Sequence, residues 1–245
     1  MTTDPRQTRA RVRTPRPAKA WVAWSSGKDS LWALHLARRD PELEIVGLLT
    51  TITEPYGRVS MHGVREELVR AQAAALGLPL HRVAIPARCS QEVYGDRMRR
   101  ALEVGVAEGV TKVVHGDVSL GDVRAYREQR LAELGLKGVF PLWGRDSGDL
   151  AREVIEGGVR ACVTCLDPSK VSLELAGHPF DRDLLERLPD DVDPCGEGGE
   201  FHTFAWDGPD YARAIPVQVG VTVSRDGFLF TDVLMADEPA RPPEG

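Results

Sequence analysis

Residues 25–30, Ser25-Ser26-Gly27-Lys28-Asp29-Ser30, lie between an apolar run and a segment with the apolar spacing of an α-helix. The apolar run, 21–24, predicts a strand, and the segment 31–37 predicts a helix. A strand, a tight turn of small residues and a helix place backbone N–H groups and the positive end of a helix dipole around one point. The sequence therefore predicts a phosphate-binding loop whose ligand also meets the positive charge of Lys28.

Two common phosphate loops do not fit these residues. A Walker loop needs glycine where Val22 stands and serine or threonine where Asp29 stands. A dinucleotide fingerprint needs three glycines, and this loop has only Gly27. The loop does resemble the pyrophosphate-binding loop (PP-loop) of the ATP pyrophosphatases, Ser-Gly-Gly-x-Asp-Ser, with Ser26 in place of the first glycine. A serine-rich turn that caps an ordinary helix is the simpler alternative.

The segments after the loop alternate between strand and helix patterns. They are a strand at 44–52, a helix at 64–76, a strand at 80–85, a helix at 91–108 and a strand at 111–115. This order predicts an α/β fold with a parallel sheet, helices on both faces and right-handed crossovers. Ligands of such sheets bind beyond the carboxyl ends of the strands, where the loop, Thr50-Thr51 and Gly116-Asp117 all fall. We therefore expect these three polar clusters to meet in one crevice.

The patterns along the chain predict four regions. They are a disordered tail at 1–20, an ATP-binding domain at 21–121, a smaller α+β substrate-binding domain at 122–236 and a disordered tail at 237–245. A basic contact arm is the alternative for the first region. Within the third region, 139–143 is predicted to be extended, and 217–223 and 228–233 are predicted to form edge or hairpin strands.

The whole-chain properties exclude several classes of function. The 245 residues carry a net charge of −6, which argues against a nucleic-acid partner. No apolar run approaches the length of a membrane span, and the N-terminal segment lacks the apolar centre of a secretory signal. Four scattered cysteines are typical of a reducing compartment. The sequence thus predicts a cytoplasmic protein without a membrane partner, which could form a homodimer.

A second group of polar residues lies far along the chain. Glu197, Glu200 and His202 fall within six residues and are spaced by glycines. A solvent-exposed turn with incidental acids is the simple alternative, but Phe201 and Phe204 predict that the segment lies against the core. The carboxylates could hold Mg²⁺ or an amine, and the imidazole could act in acid–base chemistry or orient a substrate carboxylate.

Several ordered motifs together resemble the diphthine–ammonia ligase family, a branch of the PP-loop ATP pyrophosphatases. They are Gly116-Asp117, 126–130 (Tyr-Arg-Glu-Gln-Arg), 140–146 (Phe-Pro-Leu-Trp-Gly-Arg-Asp) and 195–203 (Cys-Gly-Glu-Gly-Gly-Glu-Phe-His-Thr). The resemblance implies a HUP-type (adenine nucleotide α-hydrolase-like) domain that cleaves ATP to AMP and pyrophosphate, and a smaller C-terminal domain that carries the substrate. In the implied reaction a carboxylate forms an acyl-adenylate, from which ammonia displaces AMP.

The resemblance and the residue chemistry together assign roles to individual side chains. Catalysis is assigned to Lys28, Asp117, Glu197, Glu200 and His202. ATP contacts are assigned to Ser25, Ser26, Gly27, Lys28, Asp29, Ser30, Thr50, Thr51 and Gly116. Substrate contacts are assigned to His62, Tyr126, Arg127, Arg145, Gly198, Gly199 and Thr203, and Mg²⁺ ligation to Asp29 and Asp117. The expected partners are ATP with Mg²⁺, an unidentified carboxylate on a small molecule or protein side chain, and ammonia or a small amine.

Two features depart from the family. The chain has 26 Arg against 5 Lys, which is compatible with a GC-rich, bacterial genome. The family's substrate, diphthine on an archaeal or eukaryotic translation factor, would be absent there, so the acceptor would be another carboxylate. The second departure is a pair of cysteines, Cys162 and Cys165, in a predicted strand. Three interpretations of the pair remain: buried inert thiols, a weakly indicated zinc site with Cys195, or sulfur transfer to tRNA. A non-catalytic ATP-binding sensor is a further alternative.

Overall fold

The computed structural model describes residues 16–236, which form two sheets with helices around them. The elements up to residue 139 are β1 (Ala18–Ala23), α1 (Lys28–Arg39), β2 (Leu43–Thr53), β3 (Arg58–Val59), α2 (Glu66–Leu76), β4 (Leu80–Ile85), α3 (Gln91–Ala107), β5 (Lys112–Val114), α4 (Gly121–Ala132) and β6 (Lys137–Val139). The later elements are α5 (Ser147–Glu156), β7 (Arg160–Leu166), α6 (Arg182–Arg187), β8 (Phe201–Asp207), β9 (Val217–Arg225) and β10 (Phe228–Met235).

The first sheet is parallel except for one short strand. Its parallel strands lie in the order β4-β2-β1-β5-β6, and β3 adds antiparallel to the end of β2. The chain leaves β1 toward β2 on one side, and β5 pairs with the other side of β1. This junction is the topological switch point, where such sheets bind ligands beyond the strand ends. The predicted α/β fold is confirmed, and the loop 25–30 lies at its switch point.

The second sheet is antiparallel and small, as predicted for the C-terminal part of the chain. Its strands lie in the order β8-β7-β10-β9, and β9 and β10 form a hairpin. Buried residues of the two sheets belong to one hydrophobic core, in which Leu31 and Leu34 of α1 and Phe204 of β8 have no exposed surface. Because α1 contacts both β1 and β8, the second sheet is packed against the helix that follows the loop.

Two predicted boundaries need correction. Residues 18–20, predicted as part of the N-terminal tail, form the first half of β1 and pair with residues 43–45 of β2. Alanines are weak strand formers, so this strand start comes from its neighbour and not from local preference. Residues 1–15 and 237–245 lie outside the described range.

The second correction concerns β6. It pairs in parallel with β5, although 139–143 was predicted to be extended within the second domain. The strand ends at Val139, before Pro141, and α4 is its crossover helix. The parallel sheet therefore reaches residue 139, past the predicted boundary at 121, and the division into folding units stays a prediction. No helix among residues 16–236 combines the length and apolarity needed to cross a membrane.

Candidate functional site

The loop contains a serine in a conformation that favours glycine. Ser26 has φ of 73°, in the left-handed region. A non-glycine residue pays about 1 kcal/mol for this conformation, so the surrounding structure must hold it. The Ser26 carbonyl accepts hydrogen bonds from Nε2 of Gln72 at 2.9 Å and from the Ala205 N–H at 2.9 Å. The departure from the PP-loop pattern at Ser26 thus leaves the glycine-like backbone shape intact.

Gln72 on α2 is a functional candidate that the sequence analysis missed. Its side chain is fully buried. Nε2 donates to the carbonyls of Ser26, at 2.9 Å, and Ala205, at 2.6 Å, and Oε1 accepts from Nε1 of Trp24 at 2.8 Å. A signal was present, because Gln72 lies four residues after Leu68 on the core-facing side of a predicted helix. A polar residue there needs buried partners, and these partners are the loop and β8.

The first turn of α1 is not capped by a serine. Gly27 is the N-cap residue, and no local side chain accepts from the N–H groups of the first turn in the described structure. The Ser30 hydroxyl donates to the Gly27 carbonyl at 2.9 Å, and the Lys28 N–H donates to Oγ1 of Thr203, from β8, at 3.2 Å. Because no serine side chain caps the helix here, the capped-turn alternative is disfavoured, and the start of α1 is better suited to bind an anion.

Lys28 is almost fully buried beside the loop. Its ammonium donates to both carboxylate oxygens of Asp29 at 2.9 Å and to the Cys195 carbonyl at 2.6 Å. It also lies 4.9 Å from the centre of the Phe180 ring and 5.5 Å from that of Phe201. Burial by itself lowers the pKa of Lys28, but the negative groups around it, chiefly the Asp29 carboxylate, together hold the pKa above its usual value. Lys28 is therefore a charged link between the loop and the segment before Glu197.

Close backbone approaches bring the predicted clusters together. A Cβ atom on Gly116 would lie 2.9 Å from the Asp29 carbonyl oxygen, so the end of β5 touches the start of α1. A Cβ on Gly27 would lie 3.0 Å from Cε1 of His62 and 3.0 Å from the Thr203 carbonyl oxygen. Thr50, at the end of β2, is buried, and its hydroxyl has no partner among residues 16–236. The loop and the end of β5 thus meet as predicted, together with the turn at 61–63 and β8, and the place of Thr50-Thr51 in the crevice stays a prediction. Thr51, next to Thr50 on β2, is half-buried and pairs with Val83 of β4.

Three carboxylates gather at the end of β5. Oε1 of Glu197 accepts from the N–H groups of Val118 at 2.8 Å and Ser119 at 3.0 Å. Burial raises the pKa of Glu197, and the charges of Asp29 and Asp117 add to the increase. Glu197 therefore binds the loop 195–200 to the strand end that carries Asp117.

Asp117 is paired with Arg127 of α4. Nη2 of Arg127 donates to Oδ1 at 3.2 Å. Nε lies 2.9 Å from Oδ2, an ion-pair contact in which it is poorly aimed for a hydrogen bond, so buried Oδ2 has no hydrogen-bond partner within the described residues. Mg²⁺ prefers carboxylate oxygens and is commonly held by one or two of them together with phosphates. The carboxylates of Asp29 and Asp117 are of the type this ion prefers, but Asp29 is ion-paired with Lys28 and Asp117 with Arg127, so their role as Mg²⁺ ligands stays a prediction.

The segment 193–200 is built as a closed turn. Asp193, which the sequence analysis did not single out, accepts through Oδ1 from the N–H groups of Cys195 and Glu197 at 2.8 and 3.2 Å. An Asp-Pro pair before a glycine-rich stretch is a recognisable signal of such a turn. Gly196 has φ of 70°, and a Cβ there would lie 2.6 Å from the Phe201 carbonyl oxygen. Only glycine fits this position.

Glu200 is buried at the end of this turn, and the predicted glycines lie beside it. The carboxylate oxygen Oε2 has no partner in the described part of the chain. A Cβ on Gly198 would meet Oε1 of Glu200 at 2.5 Å, and Gly199 has φ of 80°. A buried carboxylate without a partner is costly and is characteristic of functional sites.

His62 and His202 form a pair of neutral imidazoles next to the loop. Their ring centres are 4.6 Å apart. Nδ1 of His62 donates to the Thr203 carbonyl at 3.0 Å, which leaves Nε2 as an acceptor. Burial lowers the pKa of His62 to about 4 and that of His202 to about 3. At neutral pH the pair can orient a substrate by hydrogen bonds, but it carries no proton to donate as imidazolium.

A large cavity lies next to the turn at 61–63. Its volume is about 1170 Å³, and it separates the carboxyl ends of β2 and β4 from the β9–β10 hairpin. Tyr126, predicted to contact substrate, is part of its wall, as are Gly63, next to His62, and Cys165, which pairs with His202. The cavity therefore borders Gly63, next to His62, and Cys165, the strand partner of His202, but neither imidazole is among the residues that line it. Arg145, also predicted to contact substrate, is instead paired with Glu153 beside α1.

The cysteines have the properties of buried, unreactive thiols. Cys162 and Cys165 are free and buried, and burial raises the pKa of each to about 12. Sulfur transfer needs a thiolate, so this result disfavours the tRNA alternative. Among residues 16–236, the one group of three side chains with metal-ligand spacing is His178, Asp181 and Asp183, which contains no cysteine.

Comparison with known proteins gives consistent matches along most of the chain. A diphthamide synthase N-terminal domain model matches residues 18–138, and a diphthamide synthase C-terminal domain model matches residues 146–230. The chain is 30% identical to the diphthine–ammonia ligase of Homo sapiens, with 85% of this chain and 86% of the relative covered. It is 32% identical to that of Bos taurus over the same shares.

The diphthine–ammonia ligase of Rattus norvegicus is 30% identical, and the match covers 66% of each chain. The chain thus spans somewhat less than two thirds of this relative's length. The family predicted from the motifs is confirmed. The relatives that the chain matches are named as ligases, in agreement with the predicted class of enzyme.

Proposed function

Because the chain belongs to the diphthamide synthase family, we propose that it adenylates a carboxylate with ATP and converts the product to an amide with ammonia or a small amine. One observation carries this proposal. Thr203, which follows Glu200 and His202 by one to three residues, accepts from the Lys28 N–H and packs on Gly27. The segment that would handle the acceptor is therefore in direct contact with the segment that would hold the phosphates.

The proposed reaction has two displacement steps. A carboxylate oxygen of the acceptor attacks the α-phosphorus of ATP, and the bond to the bridging oxygen breaks to release pyrophosphate. The amine nitrogen then attacks the acyl carbon, AMP leaves with the electrons of the C–O bond, and the nitrogen loses a proton. The N–H groups at the start of α1 and the charge of Lys28 stabilise the departing pyrophosphate. Mg²⁺ at Asp29 and Asp117 would supply further neutralisation of the phosphates.

The remaining side chains are assigned to the acceptor and the amine. The cavity that borders Gly63 and Cys165 is large enough for a small molecule or a side chain, and we place the acceptor there. The neutral imidazoles orient the carboxylate, since uncharged rings donate and accept hydrogen bonds without a proton transfer. Glu200 holds the amine, because its unpartnered carboxylate oxygen is an acceptor for N–H groups.

The test separates ATP binding from product formation. Glu200→Gln is expected to bind ATP normally and to form no AMP when Mg²⁺, ammonium and extract fractions from the source organism are supplied. Glu186→Gln, which changes an exposed glutamate on α6, is the matched control and is expected to behave like the parent protein. A loss of ATP affinity in Glu200→Gln as large as that in Lys28→Ala would contradict the separate roles.

The sensor alternative makes a different prediction for the same assay. A module that only binds ATP has no use for an acceptor segment on the loop, and it would form neither AMP nor pyrophosphate with any acceptor. Release of ADP and phosphate would likewise count against adenylation.

A further inference from the structure

The β9 strand is an open edge of the second sheet. It is the last strand in the order β8-β7-β10-β9, and within residues 16–236 no backbone hydrogen bond joins its outer side to the protein. The strand is nine residues long, Val217–Arg225. An unpaired row of N–H and C=O groups of this length is a template for another strand.

The side chains of this edge are unusually apolar and uncharged. Val219, Val221 and Val223 are 53%, 72% and 49% exposed. Proteins normally protect an open edge with lysines, prolines or inward-pointing charges. Here residues 217–224 contain no charged side chain, and Pro216 and Arg225 only bound the stretch. The one protective feature is a register irregularity opposite residues 231–233 of β10.

We propose that β9 pairs antiparallel with β9 of a second copy of this chain around a twofold axis, giving one continuous eight-stranded sheet. Copies of a chain with net charge −6 repel one another at long range, and a contact surface without charge adds no local repulsion to this effect. An uncharged strand meets this condition, because antiparallel pairing with itself places uncharged residues opposite uncharged residues. A twofold contact also closes after two copies, so it leaves no β9 edge open for further growth.

The pairing has a consequence for the candidate site. Val221 and Val223 belong to the wall of the large cavity. A second copy on this edge would therefore cover part of the cavity's opening and limit which acceptors can enter. This consequence rests on the proposed function, whereas the pairing itself does not.

The test is the mass of the full chain in solution, which is independent of activity. The parent protein is expected to sediment at twice the chain mass of 26.9 kDa over roughly a hundredfold range of concentration. Val221→Lys is expected to sediment as a monomer with unchanged circular dichroism. Val104→Lys, on α3, changes another exposed valine (52% exposed) and is the matched control, expected to stay dimeric.

Two outcomes would overturn the proposal. One is a monomeric parent protein at every concentration, which would mean that the edge is free or is covered by another part of the chain. The other is a Val221→Lys variant that stays dimeric, which would place the contact elsewhere. If Val221→Lys unfolds, Val221→Thr, which preserves the β-branched shape, is expected to weaken the dimer at least tenfold; an unchanged dimer would count equally against the pairing.

Discussion

Replacing Gln72 tests whether the loop is held in shape from α2. In Gln72→Ala, the Ser26 carbonyl keeps its bond from the Ala205 N–H, and the Ala205 carbonyl keeps its bond from the Tyr211 hydroxyl at 3.1 Å. Nε1 of Trp24 alone loses its partner. A buried donor without a partner costs about 1–3 kcal/mol, and the space left by the amide adds a cavity term. We expect the free energy of unfolding to fall by about 3 kcal/mol.

Gln72→Glu changes the chemistry without creating the cavity. A carboxylate would face the carbonyl oxygens of Ser26 and Ala205 where the amide nitrogen now lies 2.9 and 2.6 Å from them. Repulsion and burial would raise the pKa of the new carboxyl in the fold above its unfolded value. A group with a raised folded pKa is most favourable at low pH and loses stability as pH rises toward that pKa. The variant is therefore expected to be closer to the parent protein at pH 5 than at pH 8.

The measurements are urea unfolding and ATP binding at both pH values. A positioning role predicts that Gln72→Glu weakens ATP binding at pH 8 and partly regains it at pH 5, since protonation restores one donor. Gln129→Glu, on the exposed side of α4, makes the same chemical change far from the loop and is the control. Equal stability of Gln72→Glu and the parent protein at pH 8, or a loss well below about 1 kcal/mol in Gln72→Ala, would refute the reasoning.

Three further predictions concern the loop and its neighbours. Ser26→Gly is expected to be about 1 kcal/mol more stable than Ser26→Ala in urea unfolding, because only glycine adopts the left-handed conformation freely; equal values would contradict the φ of 73°. Stability should fall as pH drops from 6.5 toward about 3, since His62 and His202 are held neutral in the fold and protonate first when unfolded. A double His→Asn variant should lose most of this slope, and an unchanged slope would speak against the depressed pKa values. Glu197→Ala should cost about 2 kcal/mol by orphaning two N–H groups, whereas Glu197→Gln retains an acceptor and should cost much less, a difference that thermal unfolding would measure.

The order of elements could be predicted because it depends on local patterns. The apolar run at 80–85 predicted the bounds of β4, and helical spacing predicted the first residue of α3, Gln91. The alternation of such patterns predicted the parallel sheet. The start of β1 could not be predicted in this way, since Ala18 and Ala20 form a strand through their neighbours. Likewise, β6 belongs to the first sheet because it pairs with β5, and the residues of β6 themselves carry no pattern that predicts this pairing.

The parts of the site that sequence patterns missed are those made by distant residues. Lys28 and Thr203 are 175 residues apart, and Gln72 and Ala205 are 133 apart. The motifs indicated that both segments matter, but contact between them depends on how the second sheet packs on α1. Gln72 and Asp193 carried weaker signals, a polar residue on an apolar helix face and an Asp-Pro turn.

These distant contacts fall on one strand. Along β8, His202 faces His62, Thr203 contacts Gly27 and Lys28, and Ala205 pairs with Ser26. The loop at the switch point is therefore completed by a strand of the second sheet, and the first sheet alone would leave Ser26 without its backbone partner. Glu197 and Glu200 precede β8 on a turn that hydrogen bonds to Asp193 hold closed. We therefore expect a displacement of Glu200 to reach Thr203, three residues later, and through Thr203 the loop. Binding of phosphate at one end and of acceptor at the other should consequently be coupled.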